Sequence, residues 1–267
     1  MPLYKIKLRY KNNASGLLTL FSFSLILAAW CGLSYSGAVD NKIFLPTPGA
    51  VIQAFMDMQQ EGILISYTAV SLYRVLVGWI LAVLVAVPMG MMIATLKKAE
   101  ALLEPVIDFA RYLPVVALVP LTLLYFGIGD IQKFVIIFLG TFFQLVLMVS
   151  DVVANVSRNL LRAAATLGAS QWQIYRLVLM PAALPGIMDS LRITIGWAWT
   201  YLVVAELVAA NSGLGYLILK SQRFLALDRI FAGLIIIGLL GLATDYFFKW
   251  LTRVMVPWSE KVGARHE

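Results

Sequence analysis

Cysteine and histidine occur once each in 267 residues, and charged side chains make up only 13% of the chain. With Cys31 alone, no disulfide can form within the chain, and no Cys/His/carboxylate grouping has zinc-site spacing. A Gly-Lys-Ser/Thr phosphate loop is missing, so the chain does not bind ATP by that route. No Ser/His/Asp, Cys/His or paired-carboxylate arrangement stands out, which leaves an intramembrane enzyme without support. His266 reads as a solvated tail residue and Cys31 as a small residue on an apolar helix. What abounds is hydrocarbon: 61% of residues are hydrophobic and the mean hydropathy is +0.87. Soluble domains are about half apolar and a quarter charged, so this is an integral membrane protein.

The net charge of +7 could suggest nucleic acid, but position argues otherwise. Lys5, Lys7, Arg9, Lys11, Lys97, Lys98, Arg158, Arg162, Arg176, Lys249, Arg253, Lys261 and Arg265 fall on one side of the expected spans. Only Lys42, Lys133, Lys220, Arg223 and Arg229 fall on the other, with Arg74, Arg111 and Arg192 within or near spans. This is the positive-inside asymmetry, and it puts both termini in the cytoplasm.

Hydropathy predicts a cytoplasmic tail over 1–16, then a single membrane domain over 17–267 with six spans: Leu17–Tyr35, Ser71–Thr95, Val106–Phe126, Phe134–Val153, Ile187–Ala209 and Phe231–Leu251. The first reads as an uncleaved span, because it is long and ends in the interfacial anchors Trp30 and Tyr35. Outer loops are expected over 36–65, with a surface helix Gly49–Met58, and over 210–229, with a short helix Tyr216–Phe224. Pro88 and Gly90 are expected to bend the second span. Pro114 and Pro120 fall in the third span, where unpaired carbonyls must be satisfied by protein or a wet cavity, so that span should line the interior.

Ionisable groups inside a membrane are costly and need a partner. Arg74 and Glu206 both sit near outer span ends and can pair around an outer gate; Arg74 can also guide an anionic solute. Asp245 is spaced i,i+4 from Lys249 and can alternatively meet Arg192. The fifth span is the most polar-aromatic, with Trp197, Thr200, Tyr201 and Glu206, and Asn211 and Ser212 open the glycine-rich break that ends it. These residues, with Arg74, Pro114 and Pro120, are the candidates for a solute passage or gate.

Between the fourth and fifth spans lies a stretch, 157–185, that is amphipathic, basic and punctuated by Gly168, Pro181 and Pro185. Asn159–Leu167 has helix-forming composition, and Gly168 supplies freedom for a sharp turn. Ala169 and Ser170 start a second helix, with Trp172, Ile174, Leu177 and Val178 on its apolar side and Gln171, Gln173 and Arg176 polar. Pro181 is expected to end it. Two short helices joined by a glycine elbow outside the lipid read as a handle for a partner protein.

This segment resembles the EAA signature of ABC importer permeases, which reads Glu-Ala-Ala, three residues, Gly, nine residues, then Ile-x-Leu-Pro. Ala163 and Ala164 match the alanines, Gly168 follows after three residues, and Val178-Leu179-Met180-Pro181 comes nine residues later. Arg162 stands where the signature has glutamate. Ser71-Leu72-Tyr73-Arg74-Val75-Leu76-Val77-Gly78, Ala117-Leu118-Val119-Pro120, Tyr125-Phe126-Gly127-Ile128-Gly129, Ala205-Glu206 and Ala210-Asn211-Ser212-Gly213-Leu214-Gly215-Tyr216-Leu217 resemble the nitrate/sulfonate/taurine branch, over nearly all of Leu45 to Trp258.

The resemblance implies an all-α, six-span type I importer permease in the bacterial inner membrane. It implies two copies of this chain, two cytoplasmic ATP-binding subunits carrying the ATP and magnesium, and an outer solute-binding protein. The ATPase-coupling residues would be Arg162, Ala163, Ala164, Leu167, Gly168, Ala169, Ser170, Gln171 and Pro181. A sulfonate, taurine or nitrate-like oxyanion is the expected solute, with an uncharged or heteroaromatic nutrient as the alternative and an ATP-independent secondary transporter as a more remote one.

Overall fold

The computed structural model describes residues 12–36 and 44–258. The basic residues Lys5, Lys7, Arg9, Lys11, Lys42, Lys261 and Arg265, and His266, lie outside that range. The described chain folds as helices joined by short turns: α1 (Asn12–Tyr35), α2 (Pro48–Gln60), α3 (Ile63–Thr95), α4 (Lys97–Ala110), α5 (Val119–Phe126), α6 (Asp130–Ala154), α7 (Arg158–Thr166), α8 (Gln171–Gln173), α9 (Met180–Ala209), α10 (Leu214–Arg223) and α11 (Leu227–Met255). Among the described residues, five helical stretches are long and apolar enough to cross a membrane: Gly16–Tyr35, Ile63–Thr95, Asp130–Ala154, Gln171–Val208 and Leu227–Met255. The bent pair Lys97–Ala110 and Val115–Phe126 makes a sixth if it counts as one span.

α6 is the central element, packed along α3 on one side and α9 on the other. Its buried face, including Ile137, Leu145, Val146 and Val149, meets Val75, Ala82, Ala86 and Met91 of α3 and Ala183 and Ile187 of α9. Lipid offers no hydrophobic drive for one apolar helix to seek another, so close contact depends on small residues at the crossing points. A Cβ on Gly90 of α3 would strike the carbonyl oxygen of Val146 and the side chain of Val149, and one on Gly140 of α6 would strike the ring of Tyr201 on α9. α2 is capped by Thr47, whose hydroxyl accepts from the Ala50 N–H at 3.2 Å. Its Val51, Ala54 and Met58 close a second core with Leu214 and Leu217 of α10 and Ala232 and Ile236 of α11. α1 is exposed along most of its length and is anchored near its C-terminal end, where Trp30 stacks on Phe231 at 5.9 Å and donates to the Pro46 carbonyl at 3.0 Å.

The helices depart from the hydropathy reading in three places. α3 begins at Ile63, before the expected Ser71 and inside the stretch assigned to an outer loop. Val106–Phe126 is not one continuous span: α4 carries Pro105 inside it, the chain breaks at Arg111–Pro114, and the helix resumes with an 82° bend. Pro114 makes the break and Pro120 sits in the first turn of α5, where no donor is needed.

Pro181 does not end the second helix of the elbow. Residues 174–179 form a π-helix in which the Met180 N–H reaches Tyr175, five residues back. Pro181, which has no N–H, falls in the first α-helical turn after this stretch, so the chain stays helical from Gln171 to Val208. The same wide turn re-phases the side chains. Trp172 and Leu177 of the expected apolar face point to the outside, while Tyr175 and Leu179 turn toward the core.

Gly90→Ala tests the close approach. It should lower stability by about 1–3 kcal/mol through overpacking, read as an earlier thermal unfolding midpoint of the purified chain. Gly238→Ala in α11, whose added Cβ meets nothing within 4 Å, should leave that midpoint unchanged or slightly raised.

Candidate functional site

The end of the bundle where α3, α6, α9 and α10 meet is held by a buried ionic clasp. Glu206, fully buried on α9, accepts from Arg74 Nη1 of α3 at 2.8 Å, from Ser71 Oγ at 3.0 Å and from the Gly215 N–H at 2.8 Å. Arg74 Nε donates to Asp130 Oδ1 at the start of α6 at 2.7 Å, and its Nη1 also donates to the Ser212 carbonyl at 2.7 Å. Ser71 Oγ in turn accepts the Leu214 N–H at 2.8 Å. The first N–H groups of α10, which no helical carbonyl can satisfy, thus end on a hydroxyl and a carboxylate, the charge preferred at a helix N-terminus.

Two glycines make this approach possible. Gly213 has φ 107°, and a Cβ there or on Gly215 would collide with Glu206. Lys133, almost fully buried, lies close enough to Arg74, Asp130 and Glu206 to feel their charges.

Roughly two helical turns toward the other side, α6, α9 and the break after α4 enclose an open cavity of ≈ 520 Å³. Leu139, Gly140, Phe143 and Gln144 come from α6, Trp197, Thr200 and Tyr201 from α9, and Ala110 to Val116 from the break. The candidates for a passage therefore separate into two places. Pro114, Trp197, Thr200 and Tyr201 line the cavity, whereas Arg74, Glu206 and Ser212 belong to the clasp. Pro120 and Asn211 are in neither: Pro120 sits in the first turn of α5 and Asn211 is in the turn before α10. Arg111, Tyr112 and Gln144 in the cavity, and Ser71 and Asp130 in the clasp, join the site without being among the sequence candidates; the adjacent Pro114, which breaks the helix, is the signal that points to the first two.

At the opposite end, α7 and α8 form the elbow. Leu167, Gly168 and Ala169 close a Schellman turn: the Gly168 N–H donates to Ala165 and the Ala169 N–H to Ala164, with Gly168 at φ 83°. Ser170 and Gln173 then form a reciprocal capping box that starts the next helix. Arg162, Ala163, Leu167, Gly168, Ser170 and Gln171 are exposed, Leu167 to 88%, and Ala164 and Ala169 are half-buried. Pro185 leaves the Pro181 carbonyl without a helical donor, and Trp258 Nε1 supplies one at 3.2 Å. Deeper in the bundle, Asp245 meets both expected partners, Lys249 at 2.5 Å and Arg192 at 3.5 Å.

Residues 86–257 match the family described as binding-protein-dependent transport system inner membrane component. A probable ABC transporter permease protein of Brucella abortus is 36% identical over 91% of this chain and 96% of its own length. The taurine transport system permease protein of Escherichia coli is 30% identical over 97% and 95%, and the putative aliphatic sulfonates transport permease protein of Bacillus subtilis 32% over 88% and 85%. Among solved structures, the inward-facing methionine ABC transporter superposes with TM-score 0.66 at 21% identity, covering 73% of this chain and 97% of the other, which shows a shared fold.

Arg74→Met would leave two carboxylates without their shared arginine. It should destabilise the chain by about 3–5 kcal/mol, seen as loss of monodisperse protein on mild heating. Arg229→Met, which breaks the half-exposed pair with Glu61, should cost no more than about 1 kcal/mol in the same assay.

Proposed function

Because the chain belongs to the family of binding-protein-dependent transport system inner membrane components, the non-catalytic, multi-pass permease subunits of ABC importers, we propose that it imports a small oxyanion of the sulfonate or taurine class. In this reading a solute-binding protein delivers the anion to the outer side, and ATP-binding subunits grip the elbow Arg158–Gln173 in the cytoplasm. Both termini face the cytoplasm, as the basic residues Lys97, Lys98, Arg158, Arg162, Arg176, Lys249 and Arg253 at that end support. A second copy covers the α4–α5 face, where Leu102, Phe109, Tyr112, Leu124 and Tyr125 stand exposed.

The observation that carries the reading is the continuity of one helical rod. It begins at Gln171 in the elbow, passes the cavity at Trp197, Thr200 and Tyr201, and reaches the clasp at Glu206. Its 38 residues span on the order of 55 Å. A push on the elbow therefore moves the cavity wall and the outer clasp together. ATP, bound by the partner subunits, shifts the population between inward- and outward-open states only through its differential affinity for the two, and hydrolysis resets the cycle. The oxyanion class rests on the sulfonate and taurine relatives and on the basic character of the cavity rim at Arg111.

Co-purification of the tagged chain with its ATP-binding subunit tests the handle. Leu167→Asp should reduce the retained subunit about tenfold or more, as expected for a buried anchor of an interface, with thermal stability unchanged because Leu167 is exposed. Gly168→Pro should do the same, since proline cannot adopt φ 83°. Retention of the ATPase by both variants would sink the coupling role, and cells that take up no sulfonate through the intact transporter would move the solute class elsewhere.

A further inference from the structure

The cavity between α6, α9 and the α4–α5 break contains one charge and no carboxylate among its lining residues: Arg111. By helix register it lies near mid-membrane. Gly140 to Gln144 fall in the middle of the 25-residue α6, and Trp197 to Tyr201 are roughly 12–18 Å inside the outer end of α9. An arginine at that depth is costly and by default marks a solute pathway.

Its geometry fits a ligand on the open side. Asp108 Oδ1 lies 3.2 Å from Nε, and Asp108 is not part of the cavity wall. Nη2 donates to the Tyr112 hydroxyl at 3.0 Å, and the guanidinium lies 4.8 Å over the Tyr112 ring. The fork is thus held on one edge and one face, which leaves its other N–H donors for an incoming acceptor. Gln144 and Thr200, from α6 and α9, add neutral hydrogen-bonding groups, while Trp197, Phe143 and Leu113 supply apolar wall. A volume of ≈ 520 Å³ is within the range of small-molecule sites.

The geometry points to a solute site within the permease itself, in which Arg111 binds the oxyanion headgroup of a small organic monoanion, Gln144 and Thr200 hydrogen-bond its remaining oxygens, and Trp197 and Phe143 pack on its carbon body. This rests on the oxyanion-importer reading and adds that selection is repeated inside the membrane after delivery. A sulfonate cannot shed its charge by taking up a proton near neutral pH, so its passage needs a fixed cation. A neutral solute of the same shape would gain nothing from Arg111 and would leave it unpaired on that side.

The test uses the permease assembled with its ATP-binding subunits in nanodiscs, without binding protein, and measures equilibrium binding of radiolabelled ethanesulfonate, with the neutral ethyl methyl sulfone as competitor. The natural complex should bind ethanesulfonate and ignore the sulfone. Arg111→Gln should weaken binding about tenfold or more, the scale of a lost charge-assisted hydrogen bond. Arg111→Lys should fall between, because it keeps the charge and loses the fork. Asp108→Asn should bind as tightly or more tightly, which a purely structural role for the pair between Arg111 and Asp108 would not give. Gln144→Leu, on a different helix, should weaken binding a few-fold and serves if the arginine variants fail to assemble. No ethanesulfonate binding by the natural complex, or undiminished binding by Arg111→Gln, overturns the site while the retained ATPase subunit leaves the importer reading standing. A natural chain that captures no ATPase subunit overturns both.

Discussion

Glu206 is a carboxylate with no accessible surface, set in a helix that must cross lipid, and the end of the bundle around it is arranged to pair it. Taking such a charge out of water is tolerable only when its lone pairs are met by a cation and by hydrogen-bond donors in good geometry. Arg74, Ser71 and the Gly215 N–H meet that demand from three directions. In doing so they fix where α3, α9 and α10 stand relative to one another, and Arg74 extends the hold to Asp130 at the head of α6. The glycine-rich turn before α10 lets backbone reach the carboxylate, and α10 then lays its buried Leu214 and Leu217 against α2 and α11. Nonspecific apolar packing would not choose this arrangement, because lipid satisfies an apolar surface as well as protein does.

α9 shows how a helix can pass through two prolines and remain one rod. Each proline removes a backbone donor, and the two are accommodated differently. Pro181 coincides with the change from π to α register, and the carbonyl that Pro185 leaves without a donor is taken by the indole of Trp258 from beyond α11. The rod is therefore braced by the far end of the described chain at the point where it leaves the elbow. A break at Pro181 would have ended the continuous helix between the elbow and the cavity.

Much of the framework is legible in the sequence because it follows from local chemistry. The spacing of Ala163, Ala164 and Gly168 anticipates the Schellman turn, and the rarity of charge inside spans singles out the Arg74–Glu206 and Asp245 pairings that the structure contains. What is not legible depends on partners distant in sequence. Hydropathy over Val106–Phe126 registers carbon content and is blind to the break at Arg111–Pro114, so it merges an amphipathic helix with a short apolar one. Pro181 looks like a terminator because its local rule assumes α register. Ser71 and Asp130 carry no local signal, since their roles arise only where α3, α6 and α10 converge. Arg111 is, in sequence, one more basic residue near a span; only the fold turns it toward α6 and α9.

The cavity and the scaffold draw on different parts of the chain. Ala110 to Leu118 contribute no fully buried side chain, whereas α3, α6 and α9 supply most of the deep core, with α2, α10 and α11 adding a second cluster. Substitutions along the break can therefore alter the shape and polarity of the chamber without disturbing what keeps the bundle folded. About two turns of chain can vary in what they present to the chamber while the clasp, the rod and the elbow keep their geometry.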